Sequence, residues 1–473
     1  MATSPSHPRH HRRGVLQGAG AAVAVGGAAL GLNAISPGIW PERPLFGLNR
    51  SHWARALPAP NPPPTRDLDA DFVVIGGGFT GLSAAYYLRQ VLPQAKVVLL
   101  EAVRCGNGAS ARNGAMLQTS TEDTYMEPDV DPVFHRRLYA VTRDNIERIR
   151  RLQAVTGVDC ELDTRGALQV AFTQRDAQAM PRIAAKLRAA GLPVDDWGAE
   201  DVAQALGTRA YHGGLYEPAS GQVHPGKLVA LWKRAAELSG AEIYEGAAVT
   251  AVDEGPRLSL HLANGITARS PHVVLATNVY TSRLGYLRAA VAPIVNHVAI
   301  TPPLGPSELA ALGWSRRIPF NDSRTNVVYA GLTRDNRVHI GGGVEQYEFD
   351  DGLADPADHG AALGFLRREL ARLYPSLADA PFERSWWGFV DMSVTGASSV
   401  GRMGRHGNIL YAIGLSGQGV NFTSVLGRVL GDIAAGKERG WSWLPYLNHL
   451  PPYVPNEPFR WLGVEAGIGL LSR

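Results

Sequence analysis

Residues 71–82 read Asp71-Phe72-Val73-Val74-Ile75-Gly76-Gly77-Gly78-Phe79-Thr80-Gly81-Leu82, and what flanks them decides the fold. The apolar, β-branched run before Gly76 predicts a buried parallel strand. Leu82 to Leu88 predicts a helix with small residues toward a sheet. Lys96 to Leu100 predicts a second strand, closed by Glu101. Gly76-x-Gly78-x-x-Gly81 would say little alone. Between a strand and a helix, with an acid at the next strand end, it is the dinucleotide-binding fingerprint. Gly76 permits the tight turn, Gly78 lets the backbone approach a pyrophosphate, and Gly81 lets helix and strand pack. The helix N-terminus offers N–H groups and a positive dipole end to phosphates. Glu101 is placed to accept ribose hydroxyls. This unit does not choose between NAD and FAD.

Two other segments bear on that choice. Gly106-Asn107-Gly108-Ala109-Ser110-Ala111-Arg112-Asn113-Gly114 is a small-residue loop with one cation, suited to collar a cofactor. More than 300 residues after the first unit, Asn408 to Ile413 predicts a strand, Gly414-Leu415-Ser416-Gly417-Gln418-Gly419 a turn, and Val420 to Ala435 a helix. One nucleotide needs one phosphate loop. A flavin has a use for a second helix N-terminus, because reduced flavin carries negative charge near N1 and its C2 carbonyl.

The rest of the chain bounds the answer. It has 473 residues, 45% hydrophobic and 19% charged, which excludes a disordered chain. A net charge of +3 leaves no nucleic-acid footprint. Two cysteines, Cys105 and Cys160, exclude a disulfide scaffold and a cysteine-rich zinc site, and no metal site is expected. The leader carries Arg9, Arg12 and Arg13, then an uncharged Gly/Ala-rich stretch from Gly14 to Ala34. It reads as a twin-arginine-like export signal or a retained inner-membrane anchor, which would place the protein in the periplasm or on that membrane. Pro58-Ala59-Pro60-Asn61-Pro62-Pro63-Pro64 is a stiff lead-in.

Taken together, these segments resemble the D-amino-acid-oxidase-like family of FAD-dependent oxidoreductases, and within it the γ-glutamylputrescine oxidoreductase branch. Ser51-His52-Trp53, Gly221-Gln222-Val223-His224-Pro225, Leu275-Ala276-Thr277-Asn278 and Gly419-Val420-Asn421 add to the match, in order and spacing. The resemblance implies an α/β, Rossmann-type FAD-binding domain interleaved with an α+β, antiparallel-sheet substrate domain. Residues 1–35 would be the leader and 36–66 the lead-in. The FAD-binding domain would take 67–155, 216–290 and 386–440. The substrate domain would take 156–215 and 291–385, leaving a tail at 441–473. Cofactor roles fall on Gly76, Gly78, Phe79, Thr80, Gly81, Glu101, Ser110, Arg112, Asn113, Gly114, Val249, Gly417, Gly419 and Val420. The backbone of Val249 would hold the adenine. No tethering motif is present, so FAD is expected to bind non-covalently.

The reaction implied is oxidation of an amine or amino acid C–N bond. Hydride passes to flavin N5, and the imine hydrolyses. Oxygen or a membrane quinone would take the electrons, with membrane contact through the leader. One departure stands out: Ser393, Thr395 and Ser398 occupy positions where the family usually has Thr, Asp and Pro. A flavoprotein without turnover is therefore a competing reading, and a plain NAD-dependent dehydrogenase a more distant one. Tyr329, Arg337 and Trp387 are the candidate catalytic residues. Arg324 or Arg337 would grip a substrate carboxylate and Trp386 or Trp387 would wall the cavity. His224 is expected to be a turn residue, and the apolar tail from Phe459 to dock as a short helix.

Overall fold

A computed structural model describes residues 47–120, 131–348, 353 and 359–471. The leader lies outside the described residues. Among those described, no helix is long and apolar enough to cross a membrane.

The strand Phe72–Ile75 is buried along its whole length and lies inside a six-stranded sheet. The order across that sheet is 399–403, 409–413, 272–275, 72–75, 97–100, 242–244. All neighbours run parallel except the edge pair 399–403 and 409–413. The central strands Val97–Leu100, His272–Leu275 and Ile409–Ile413 are nearly all Val, Ile and Leu, as burial on both faces requires.

One face carries the helices Phe79–Val91, Pro225–Leu238 and Gly419–Ala434, and these form the largest core with Trp53, Tyr86, Tyr87 and Trp232. The first and last of them touch closely. A Cβ on Gly427 would stand 2.0 Å from Ser83 Oγ and 2.7 Å from the Ala84 nitrogen, so only glycine admits this approach. The other face is covered by a four-stranded sheet ordered 68–69, 267–270, 258–262, 249–253.

The second layer is a nine-stranded sheet. Its path runs 346–347, 292–300, 338–342, 328–332, 320–322, 167–170, 213–217, 195–198, and the strand Arg384–Met392 also pairs with Ala292–Ile300. It is antiparallel apart from one parallel pair, 320–322 with 167–170. Residues 386–392 thus belong to the substrate sheet, not to the FAD-binding part as the boundary at 386 would have it. Register explains why: nine consecutive residues of this strand face Ala292–Ile300 without a break. The tail forms the helix Phe459–Leu471, and Val464 packs on Ala292, Ile294 and Tyr347 at the edge of this sheet.

Candidate active site

The two glycine turns open into one cavity of about 610 Å³. At one end lie Gly76, Gly77, Gly78, Phe79 and Thr80, and at the other Gly417, Gln418, Gly419 and Val420. Gly76 has φ +107°, and a Cβ there would meet the Ala276 carbonyl at 2.5 Å. A Cβ on Gly81 would stand 1.9 Å from the Gly76 carbonyl, so Gly81 sits behind the turn and lets the helix begin there; it does not line the cavity. Neither the 79–91 helix nor the 419–434 helix takes a side-chain cap from its own N-cap residue or has an acid in its first turn. Both N-termini therefore present backbone N–H groups and a positive dipole end to the cavity, the environment an anion requires.

Glu101 closes its strand at the rim of the cavity. Its carboxylate accepts the Gly77 N–H at 2.7 Å and the Val103 N–H at 3.0 Å. Burial pushes its pKa up despite those two donors. Ala248, Val249 and Thr250 continue the wall beyond it. At the far end the Asp391 carboxylate accepts the Gly414 N–H at 2.7 Å and so fixes the second turn; burial pushes its pKa up to about 6. Ser393 does not line the cavity. Its N–H donates to Ser416 Oγ at 3.1 Å, so the departing segment braces the second turn from behind.

The collar 105–114 is laced from outside. Ser110 Oγ accepts the Phe79 N–H at 2.9 Å, tying the collar to the first turn of the helix. Asn49 Nδ2 donates to the carbonyls of Gly106 and Ala111, both at 3.1 Å, and Ser51 Oγ donates to the Ala111 carbonyl at 2.6 Å. Trp53 Nε1 donates to the Asn113 carbonyl at 2.9 Å and Trp386 Nε1 to the Arg112 carbonyl at 2.8 Å. Beneath the collar, Glu245 accepts the backbone N–H groups of Cys105 and Asn61, both at 2.5 Å, and is paired with the buried Lys233. Cys105 and Cys160 are buried free thiols.

The nine-stranded sheet roofs the other side. Thr325, Val327 and Tyr329 line the cavity at alternate positions, with Asn296, Val298, Asn321, Glu345, Phe389 and Met392. Tyr329 OH donates to Asn296 Oδ1 at 3.3 Å, and its ring rests on Gly114 and Gly341. Two expectations are corrected here. Arg324 is paired with Asp322 and Glu369, and Arg337 with Asp335 and Glu383; neither reaches the cavity. Trp387 also misses it. That ring stacks on His359 at 6.3 Å and takes the Arg112 guanidinium over its face at 5.1 Å, so Trp386 and Trp387 support the collar and do not wall the cavity. His224 caps the 225–238 helix, its Nδ1 accepting the Lys227 N–H at 3.3 Å. Among the described residues no cluster of metal-ligating side chains occurs.

Sequence reasoning missed Glu345, Asn296, Phe389 and Asp391. The only local signal was that Glu345 follows a strand ending in glycines.

The family model described as FAD dependent oxidoreductase (DAO) matches residues 71–433. A "Probable oxidoreductase OrdL" of Rhizobium meliloti is 29% identical over 90% of this chain and 95% of its own. The "Gamma-glutamylputrescine oxidoreductase" of Escherichia coli is 28% identical over 81% of this chain and 88% of its own. The crystal structure of glycine oxidase from Geobacillus kaustophilus has the same fold, with a TM-score of 0.70 at 22% identity, over 82% of this chain and all of that one.

Proposed function

We infer the reaction from the premise that the chain belongs to the DAO family of FAD-dependent oxidoreductases. It is a flavoenzyme acting on amines or amino acids. The residues fit FAD. The uncapped 79–91 helix with Gly76 and Gly78 would hold the diphosphate, Glu101 the ribose, Val249 the adenine, and the collar Ser110–Gly114 the central part. Gly417, Gly419 and Val420 would face the isoalloxazine without a covalent tether.

When bound, flavin would supply at N5 the two-electron acceptor for a hydride from the carbon beside the substrate nitrogen. The chain's own part is positional. The roof of Tyr329, Asn296, Val298 and Phe389 confines a neutral amine against the flavin end of the cavity and excludes water. The 419–434 helix dipole favours the negative charge that reduction creates. The imine formed hydrolyses to a carbonyl compound and an amine or ammonia. Oxygen is the acceptor in this reading, and a membrane quinone is the second.

The observation that carries the proposal is the single cavity shared by the two uncapped helix N-termini and the substrate sheet. Purified protein should absorb near about 450 nm. Anaerobic addition of amines and D- and L-amino acids should bleach that band. If no compound bleaches it, the catalytic reading fails and a non-catalytic flavoprotein replaces it. Rapid reoxidation in air with peroxide formed would exclude an obligate quinone user. We also infer that the basic leader exports the folded protein or anchors it. Recovery of all the protein from the cytosol would refute this.

A further inference from the structure

If the cavity oxidises a C–N bond, as inferred above, its charged groups also say what else the substrate carries. The described lining holds five: Glu101, Arg112, Arg283, Glu345 and Asp391. Four belong to the cofactor side. Glu101 and Asp391 are bound to backbone N–H groups of the two turns. Arg112 donates to the carbonyls of Asn107 and Trp387 within the collar. Arg283 lies on the turn Asn278–Leu284, which touches the strand Val249–Asp253 at the adenine end.

Glu345 is the exception. It joins the strands Val338–Gly342 and Gln346–Tyr347 at the roof, where Gln346 pairs with Val295 beside the cavity-lining Asn296. Among the described residues no hydrogen bond or opposite charge offsets its burial, which pushes its pKa up to about 7. The rest of the described roof is neutral: Gln118, Asn296, Asn321, Thr325 and Tyr329 supply the polar groups. Arg324 and Arg337, which flank the roof strands, are held in ion pairs outside the cavity. A substrate carboxylate at the roof would thus meet a carboxylate and no cation, and an ammonium group would give Glu345 the partner it lacks.

We propose that the substrate is an amine bearing a second cationic group, a diamine or longer polyamine chain, and that Glu345 pairs with the distal ammonium and selects against amines that carry an acid. Amine oxidation at the near end is as described above; the distal group is a recognition handle and undergoes no chemistry.

Three compounds of one length isolate the distal group: 1,4-diaminobutane, butylamine and 4-aminobutanoate. With holoenzyme, kcat/KM should fall in that order, the first step by about tenfold or more, as one charge-assisted hydrogen bond implies. The difference should lie in KM. Glu345→Gln should collapse the preference for the diamine over butylamine, Glu345→Asp should keep part of it, and Glu345→Lys should shift it toward 4-aminobutanoate. A binding readout is independent of turnover: in dithionite-reduced holoenzyme, calorimetry should give tighter binding of the diamine than of butylamine, and Glu345→Gln should abolish the difference. Equal kcat/KM for the three compounds, or a preference for 4-aminobutanoate in the wild type, overturns the proposal, and these tests need no variant to fold. If the diamine binds through Glu345 yet no amine bleaches the flavin, the oxidative reading fails and the recognition stands. If amines bleach it without preference, the reverse holds.

Discussion

Replacing Gly427 by alanine tests whether the contact between the two cofactor helices sets the geometry of the site. The new Cβ would lie 2.0 Å from Ser83 Oγ and 2.7 Å from the Ala84 backbone nitrogen. Ser83 is fully buried and its hydroxyl donates to the Phe79 and Thr80 carbonyls at 2.6 and 3.1 Å, so it yields only by giving up both. The Ala84 nitrogen cannot yield by rotation at all. Ordinary contact begins at 3.4 Å, so the helices must part by several tenths of an ångström. Overpacking of this kind costs about 1–3 kcal/mol. For a chain of this size that is a fall in Tm of about 1–3 °C. The same displacement moves one uncapped N-terminus relative to the other, and FAD affinity should drop about tenfold, equivalent to about 1.4 kcal/mol. Thermal unfolding of FAD-free protein and titration with FAD by flavin fluorescence measure the two effects. Gly440→Ala, with nothing within 4 Å of its Cβ, is the neutral control. If Gly427→Ala unfolds within a degree of wild type and binds FAD within twofold, the close helix contact does not position the cofactor.

Three further outcomes are expected. Lys233→Met leaves Glu245 buried without its ion partner and should cost about 3–5 kcal/mol, read as a lower urea midpoint; an unchanged midpoint would show that the pair is dispensable. Asp391 has a folded pKa of about 6, above its unfolded value, so its stabilising contribution is full below about pH 4 and is lost as pH rises through about 6. The Tm advantage of FAD-free wild type over Asp391→Asn should therefore shrink from pH 4.5 to 7.5, and an advantage that grows with pH contradicts the assignment. A Cβ at residue 114 would meet the Tyr329 ring at 2.4 Å, so Gly114→Ala should drive that ring into the cavity and raise KM several-fold while the flavin band survives; an unchanged KM would place Tyr329 away from the substrate.

The dinucleotide unit was legible because its chemistry demands residues with few substitutes. A parallel strand buried on both faces must be aliphatic, the turn must be glycine, and an acid must close the next strand. The second turn was legible for the same reason. Of the roof, the sequence singles out Tyr329 alone; the strand that carries it is Val328–Leu332, and Thr325 and Val327 line the cavity from the bend before it. Alternation does not say which sheet a strand joins, so 386–392 was given to the wrong layer and its tryptophans to the wrong wall. Each arginine has a ready local partner in the sequence: Asp322 stands two residues before Arg324, and Asp335 two before Arg337. Glu345 had no comparable sign, because its place at the roof depends on pairing between Gln346 and Val295, some fifty residues apart.

The strap formed by Asn49, Ser51 and Trp53 has a consequence for how the molecule is handled. The chain enters the described structure at residue 47, and within seven residues it is tied to the collar 105–114 through Asn49, Ser51 and Trp53. A protease cutting beyond Trp53 would release all of these strap hydrogen bonds at once.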